Sequence, residues 1–170
     1  ILFVILQIAM KDTTVLDSLV GNASHISIVV HTHPDGDAIG SGTAMLCYLT
    51  QSRGKDAALI VPDSIPDSIS FITCGAADGS ILVFDEEKER ASARINASDL
   101  IICLDCNSFS RTSGMEDALR QSKAPKVLID HHLNPDIEAF GLVFSETEVS
   151  SASELLFWIL LDMPDIGGKA

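Results

Sequence analysis

Four histidines and four aspartates fall within three short stretches of a 170-residue chain that holds five histidines in all. The stretches are His31-Thr-His33-Pro-Asp35-Gly-Asp37-Ala-Ile-Gly40-Ser41, Leu104-Asp105-Cys-Asn107 and Asp130-His131-His132. Carboxylates gathered in one cleft repel one another, and some would have to stay protonated. A divalent cation removes that difficulty. Mixed imidazole and carboxylate ligation suits Mn²⁺, Fe²⁺ or Zn²⁺, whereas Mg²⁺ prefers oxygen and Ca²⁺ rarely takes histidine. Eight candidate donors exceed what one ion needs, and two ions sharing a bridging carboxylate fit the number. Paired metals about 3.5–4 Å apart are the usual device for turning water against a phosphoester. Taken singly, each residue has a plainer explanation. An aspartate at a strand end is usually a turn residue or an N-cap, and Asp37 and Ser41 also suit capping a following helix. Three strand ends carrying such residues together are hard to assign to caps.

The elements that would present these residues follow from the apolar pattern. Runs at His25–His31, Ala57–Val61, Ile81–Phe84, Leu100–Leu104 and Lys126–Ile129 are short, β-branched and bounded by turn signals, as in strands covered on both faces. Between them lie helical segments over Ala38–Gln51, Asp85–Arg94 and Met115–Gln121. A fourth, Ser151–Leu161, opens with Ser151-Ala-Ser-Glu154, the spacing of a capping box. This alternation predicts an α/β fold, doubly wound, with a mainly parallel sheet and helices on both faces. In such sheets ligands bind beyond the carboxyl ends of the strands, where the three stretches fall.

Composition narrows the function. With 46% hydrophobic residues and a mean hydropathy of +0.29, the chain carries one substantial core. The formal charge of −13 excludes a binder of long duplex nucleic acid, which is held by Lys and Arg on its phosphates. Of the four cysteines, Cys103 and Cys106 form a C-x-x-C. No second pair completes a zinc site, and the pair straddles a strand end rather than opening a helix as a redox pair does. A reducing cytoplasm is the expected location. The opening run Ile1 to Met10 is too short to span a bilayer and lacks a basic n-region, so no membrane association is expected. It reads as part of an N-terminal helical segment over 1–24, with a docking strand or the trimmed end of a signal sequence as alternatives.

The combination H-x-x-P-D-G-D-A-I-G-S, a strand-end L-D followed by Arg111, and I-D-H-H resembles the DHH phosphoesterases. Within that family it is most similar to the nano-RNases, pAp phosphatases and cyclic-dinucleotide phosphodiesterases. The resemblance implies a two-domain hydrolase using a pair of Mn²⁺ ions, with Mg²⁺ as a poorer substitute. By motif position it makes His31 and Asp35 ligands of one metal, Asp37 and His131 ligands of the other, and Asp105 the bridge. It places His132 at the substrate phosphate as a catalytic group, Asp130 behind it as support, and Arg111 and Ser41 among the substrate-binding residues. It assigns 25–170 to the catalytic domain. The family's fourth motif, one further Asp ligand, and its substrate-binding C-terminal domain find no counterpart, since Asp162 and Asp165 do not match. The expected substrates are small nucleotides: short oligoribonucleotides, pAp or cyclic dinucleotides. A homodimer is compatible with the family.

Three rival enzymes fit less well. Asp35-Gly-Asp37 imitates the D-x-D nucleophile motif of haloacid-dehalogenase phosphatases, but His31-Thr-His-Pro34 separates it from the strand and no downstream paired acids follow. Gly36, Gly40 and Gly42 are spaced wrongly for a dinucleotide-binding turn, and no P-loop is present. A regulatory nucleotide-binding module with an incomplete site and an exopolyphosphatase-like hydrolase remain as alternatives.

Overall fold

The computed structural model describes residues 13–163. Six strands form one sheet: β1 (His25–Val29), β2 (Asp56–Val61), β3 (Ile81–Val83), β4 (Leu100–Leu104), β5 (Lys126–Asp130) and β6 (Leu142–Ser145). Their order is β3-β2-β1-β4-β5-β6, and every pairing is parallel. The helices are α1 (13–22), α2 (Gly36–Cys47), α3 (Lys88–Ala97), α4 (Glu116–Gln121) and α5 (Ala152–Asp162).

Side-chain alternation explains why the sheet is covered twice. Along β4, Leu100, Ile102 and Leu104 join the cluster that holds Leu16 and Val20 of α1, Ile39 of α2 and Leu156 of α5. Ile101 and Cys103 point the other way, towards Ala91 and Ile95 of α3 and Leu119 of α4. The inner strands β1, β2, β4 and β5 therefore bury both faces, which is why they read as apolar runs. Gly42 brings α2 down onto the sheet: a Cβ there would lie 2.9 Å from Leu59 Cδ1.

The doubly wound fold is as expected, with differences in detail. Strand β6 has no counterpart among the expected strands. It is a four-residue edge strand, and only Leu142 and Phe144 are buried, a signal too short to stand out. The helix expected to run to Gln51 is α-helical to Cys47 and then widens into a π turn over Tyr48–Ser52. The helix expected over 85–94 runs over Lys88–Ala97, because residues 85–87 turn back onto β3 and its flank through bonds such as Glu87 N to Val83 O. A nine-residue 3₁₀ segment, Asp67–Gly75, lies where no element is expected. Of the N-terminal segment, residues 1–12 lie outside the described residues, and 13–22 are helical. Among the described residues, no helix is long and apolar enough to cross a membrane.

Candidate metal centre

The strand order reverses between β1 and β4, and such a switch point leaves a crevice at the strands' carboxyl ends. The register sets what fills it. Val29 pairs with Cys103, so His31 and Asp105 emerge side by side, two residues beyond each. Leu104 pairs with Ile129, and the Asp105 amide donates to the Ile129 carbonyl at 3.1 Å, which brings Asp130 to His132 to the same rim.

Asp105 sits at the centre. It is 1% exposed and its backbone is left-handed at φ 52°, a conformation uncommon outside glycine. Its Oδ2 lies 3.4 Å from His31 Nε2, and its Oδ1 lies 3.5 Å from both His131 Nε2 and His132 Nδ1. Oδ1 is buried and has no hydrogen-bond partner. A buried carboxylate oxygen left so is costly. Two further contacts complete the ring: His31 Nε2 to Asp35 Oδ1 at 4.0 Å, and His131 Nε2 to Asp37 Oδ2 at 3.6 Å. These separations are long for hydrogen bonds. They are close to those of donors sharing one ion, since ligands about 2.0–2.2 Å from a metal sit about 3–3.6 Å apart at near-octahedral or tetrahedral angles. His31, Asp35 and Asp105 form one group of converging ligand atoms, and Asp105, His131 and His132 form another, with Asp105 common to both. The donor set fits divalent-cation ligation, and Asp105 would be the ligand common to both groups.

The surrounding bonds orient these donors. His31 Nδ1 lies 2.7 Å from the Thr32 carbonyl, so the proton belongs on Nδ1 and Nε2 keeps its lone pair for the centre. The facing Asp105 carboxylate raises the His31 pKa above 6.5, against burial, which lowers it. Asp130 is fully buried and accepts from the His132 amide at 3.0 Å and from His132 Nδ1 at 2.8 Å. That leaves His132 Nε2 as its free nitrogen. Asp35, rather than Asp37, is the N-cap of α2, its Oδ1 accepting from the amides of Asp37 and Ala38. Burial raises the Asp35 pKa, but those two amides outweigh it and the pKa is lowered.

Asp37 is held by the small-residue turn that opens α5, whose resemblance to a family motif places it near the site but does not show these bonds. Its two oxygens accept from the amides of Ala152 at 2.7 Å and Ser153 at 2.8 Å, at the N-terminus of α5. The capping box expected there is therefore half formed. Ser151 Oγ accepts from the Glu154 amide, while the Glu154 carboxylate takes the amide and hydroxyl of Ser150. Helix N-termini favour anions, so α5 acts as an anchor for Asp37.

Two expected residues stand differently. Ser41 is fully buried and its hydroxyl donates to the Asp37 carbonyl at 2.7 Å. It braces the first turn of α2. The cause is helical spacing, which stacks residue 41 over 37 inside the fold. Arg111 is half-buried, and its carbonyl accepts from the Thr32 amide at 2.8 Å. Its guanidinium makes no hydrogen bond or ion pair with a described residue, which leaves it free for an anion. His33 points outward, its side chain 92% exposed. Cys103 and Cys106 are buried free thiols, whereas Cys74 is exposed on the 3₁₀ segment.

Known proteins share this arrangement of sequence. The model of the DHH family, N-terminal domain, matches residues 25–167. The cyclic-di-AMP phosphodiesterase GdpP of Bacillus subtilis (strain 168) is 28% identical over 158 residues, 88% of this chain and 23% of GdpP. The chain thus spans about a quarter of the curated relatives it matches. Among solved structures, an exopolyphosphatase-related protein from Bacteroides fragilis is similar at a TM-score of 0.81 and 35% identity, over 89% of this chain and 43% of that one. RecJ from Thermus thermophilus, in complex with Mn²⁺, shares the fold at a TM-score of 0.55 and 19% identity, over 93% of this chain and 21% of RecJ.

Proposed function

We propose that this chain, which belongs to the DHH family, is the catalytic domain of a Mn²⁺-dependent phosphoesterase acting on small nucleotides. The observation that carries this reading is Asp105: a buried carboxylate with one unpartnered oxygen, each oxygen facing a different histidine. Ordinary surface or core aspartates are not left in that state. His31 and Asp35 would hold one ion, Asp37 and His131 the other, with Asp105 between them. When bound, a pair of divalent ions lowers the pKa of water and offsets charge on the phosphoryl group.

The remaining residues do their own work. His132, oriented by buried Asp130, offers Nε2 towards a phosphate oxygen or the leaving group. Arg111, without an ion-pair partner among the described residues, adds a fixed positive charge at the anion. No side chain is needed as a nucleophile, so no covalent intermediate forms. A net charge of −13 disfavours long polyanions, which supports pAp, oligonucleotides of a few residues, or cyclic dinucleotides as substrates. The likeness to an exopolyphosphatase-related structure makes inorganic polyphosphate the second candidate.

The test is to assay the protein with Mn²⁺ against dinucleotides, pAp, cyclic di-AMP and polyphosphate side by side. Hydrolysis of one of the nucleotides supports the reading, and polyphosphate alone favours the second candidate. Cleavage of none by the full-length protein, with Mn²⁺ shown to be bound, favours a regulatory module.

A further inference from the structure

We propose that Asp63 is a positioning residue that locks the turn between His31 and Asp35 into its metal-facing shape. The inference rests on the metal-centre reading above. The turn His31-Thr-His-Pro-Asp35 must leave β1 and bring two ligands back onto one ion. It does so with His33 in the left-handed region, at φ 51°. For a residue other than glycine this conformation is strained, and it persists only where the surroundings hold it. The His33 side chain is 92% exposed and adds only a 3.2 Å contact from Nδ1 to Thr32 Oγ1 and a 3.8 Å contact from Nε2 to Asp63 Oδ2.

The hold comes through the backbone. The Thr32 carbonyl meets His31 Nδ1 at 2.7 Å, and because Pro34 has no amide, Thr32 and His33 are the two backbone donors between the ligands. The Thr32 amide donates to the Arg111 carbonyl at 2.8 Å. The His33 amide donates to both carboxylate oxygens of Asp63, each at 2.9 Å. Asp63 lies just past β2, across the switch point from Asp105, and belongs to neither group of converging ligand atoms among the described residues. It therefore acts on the ion through His33. A side-chain oxygen at this position supplies the acceptor that the strained turn needs for its His33 amide. Without it the turn can relax, and His31 and Asp35 need no longer converge.

The experiment titrates Mn²⁺ into the wild type, Asp63→Ala and Asp63→Asn, reading free Mn²⁺ by its electron paramagnetic resonance signal. Circular dichroism confirms that each variant is folded. Removing a group that orients metal ligands typically weakens affinity by about 10–100-fold, and this is the loss expected for Asp63→Ala. Asp63→Asn keeps an acceptor for the His33 amide and should bind Mn²⁺ closer to wild type than to the alanine variant. Wild-type affinity in folded Asp63→Ala would overturn the proposal, as would an asparagine variant as weak as alanine. A wild type that binds Mn²⁺ but cleaves nothing counts against the proposed reaction alone, because this comparison reads affinity and not turnover. A wild type that binds no Mn²⁺ overturns both.

Discussion

Asp105 concentrates the chemistry at the scale of single residues. Its type and its place at a strand end are visible in the sequence. Its left-handed backbone and its unpartnered oxygen are not, because both depend on β5 lying alongside. Ser41 shows the converse, since a motif position marks it for substrate while helical spacing turns its hydroxyl into α2. Asparagine tolerates left-handed backbone, so Asp105→Asn should fold. A ligand at 100 times its Kd adds about 2.7 kcal/mol, equivalent to about 5–10 °C for a chain of this size. Mn²⁺ should raise the wild-type melting temperature by that much and leave Asp105→Asn nearly unmoved, which differential scanning fluorimetry can read. His31 adds a pH dependence. Its folded pKa lies above the ordinary 6.5, so its contribution to stability is full below 6.5 and is lost as pH rises through the raised value. The melting temperature of the metal-free chain should therefore fall on the alkaline side of 6.5, and His31→Gln should lack this component. Mn²⁺ binding should show the opposite slope, strengthening with pH, because proton and metal compete for Nε2.

Among the elements, β1, β2, β4 and β5 are legible because burial on both faces leaves a continuous apolar pattern, and the helix opening at Ser151 is legible from its cap and apolar run. β6 and the 3₁₀ segment Asp67–Gly75 are not, since the first is a four-residue edge and the second buries none of its residues fully. The contact between α5 and Asp37 is likewise hidden, as it joins positions 115 residues apart through backbone amides that any sequence possesses. It yields a specific test. Proline is tolerated at the first position of a helix, and extended Ser151, at φ −163° and ψ 159°, suits a residue before proline. Ala152→Pro should keep α5, as judged by circular dichroism. It places a methylene where the amide meets Asp37 Oδ2 at 2.7 Å, so Mn²⁺ affinity should drop by about tenfold or more. Ala152→Ser retains the amide and should bind as the wild type does.

At the scale of the molecule, a doubly wound sheet supplies a crevice, and three strand ends bring His31, Asp35, Asp37, Asp105, His131 and His132 to it. Imidazole ligands favour Mn²⁺ over Mg²⁺, so activity restored to chelator-treated protein should be higher with Mn²⁺ at equal concentration, and equal rates would count against histidine ligation. The central claim is that Asp105 bridges two ions, and crystals soaked in Mn²⁺ test it directly through anomalous difference maps. Two peaks about 3.5–4 Å apart are predicted, one beside His31 and Asp35, the other beside Asp37 and His131, with one oxygen of Asp105 on each. A single peak, or peaks that Asp105 does not touch, would contradict the account.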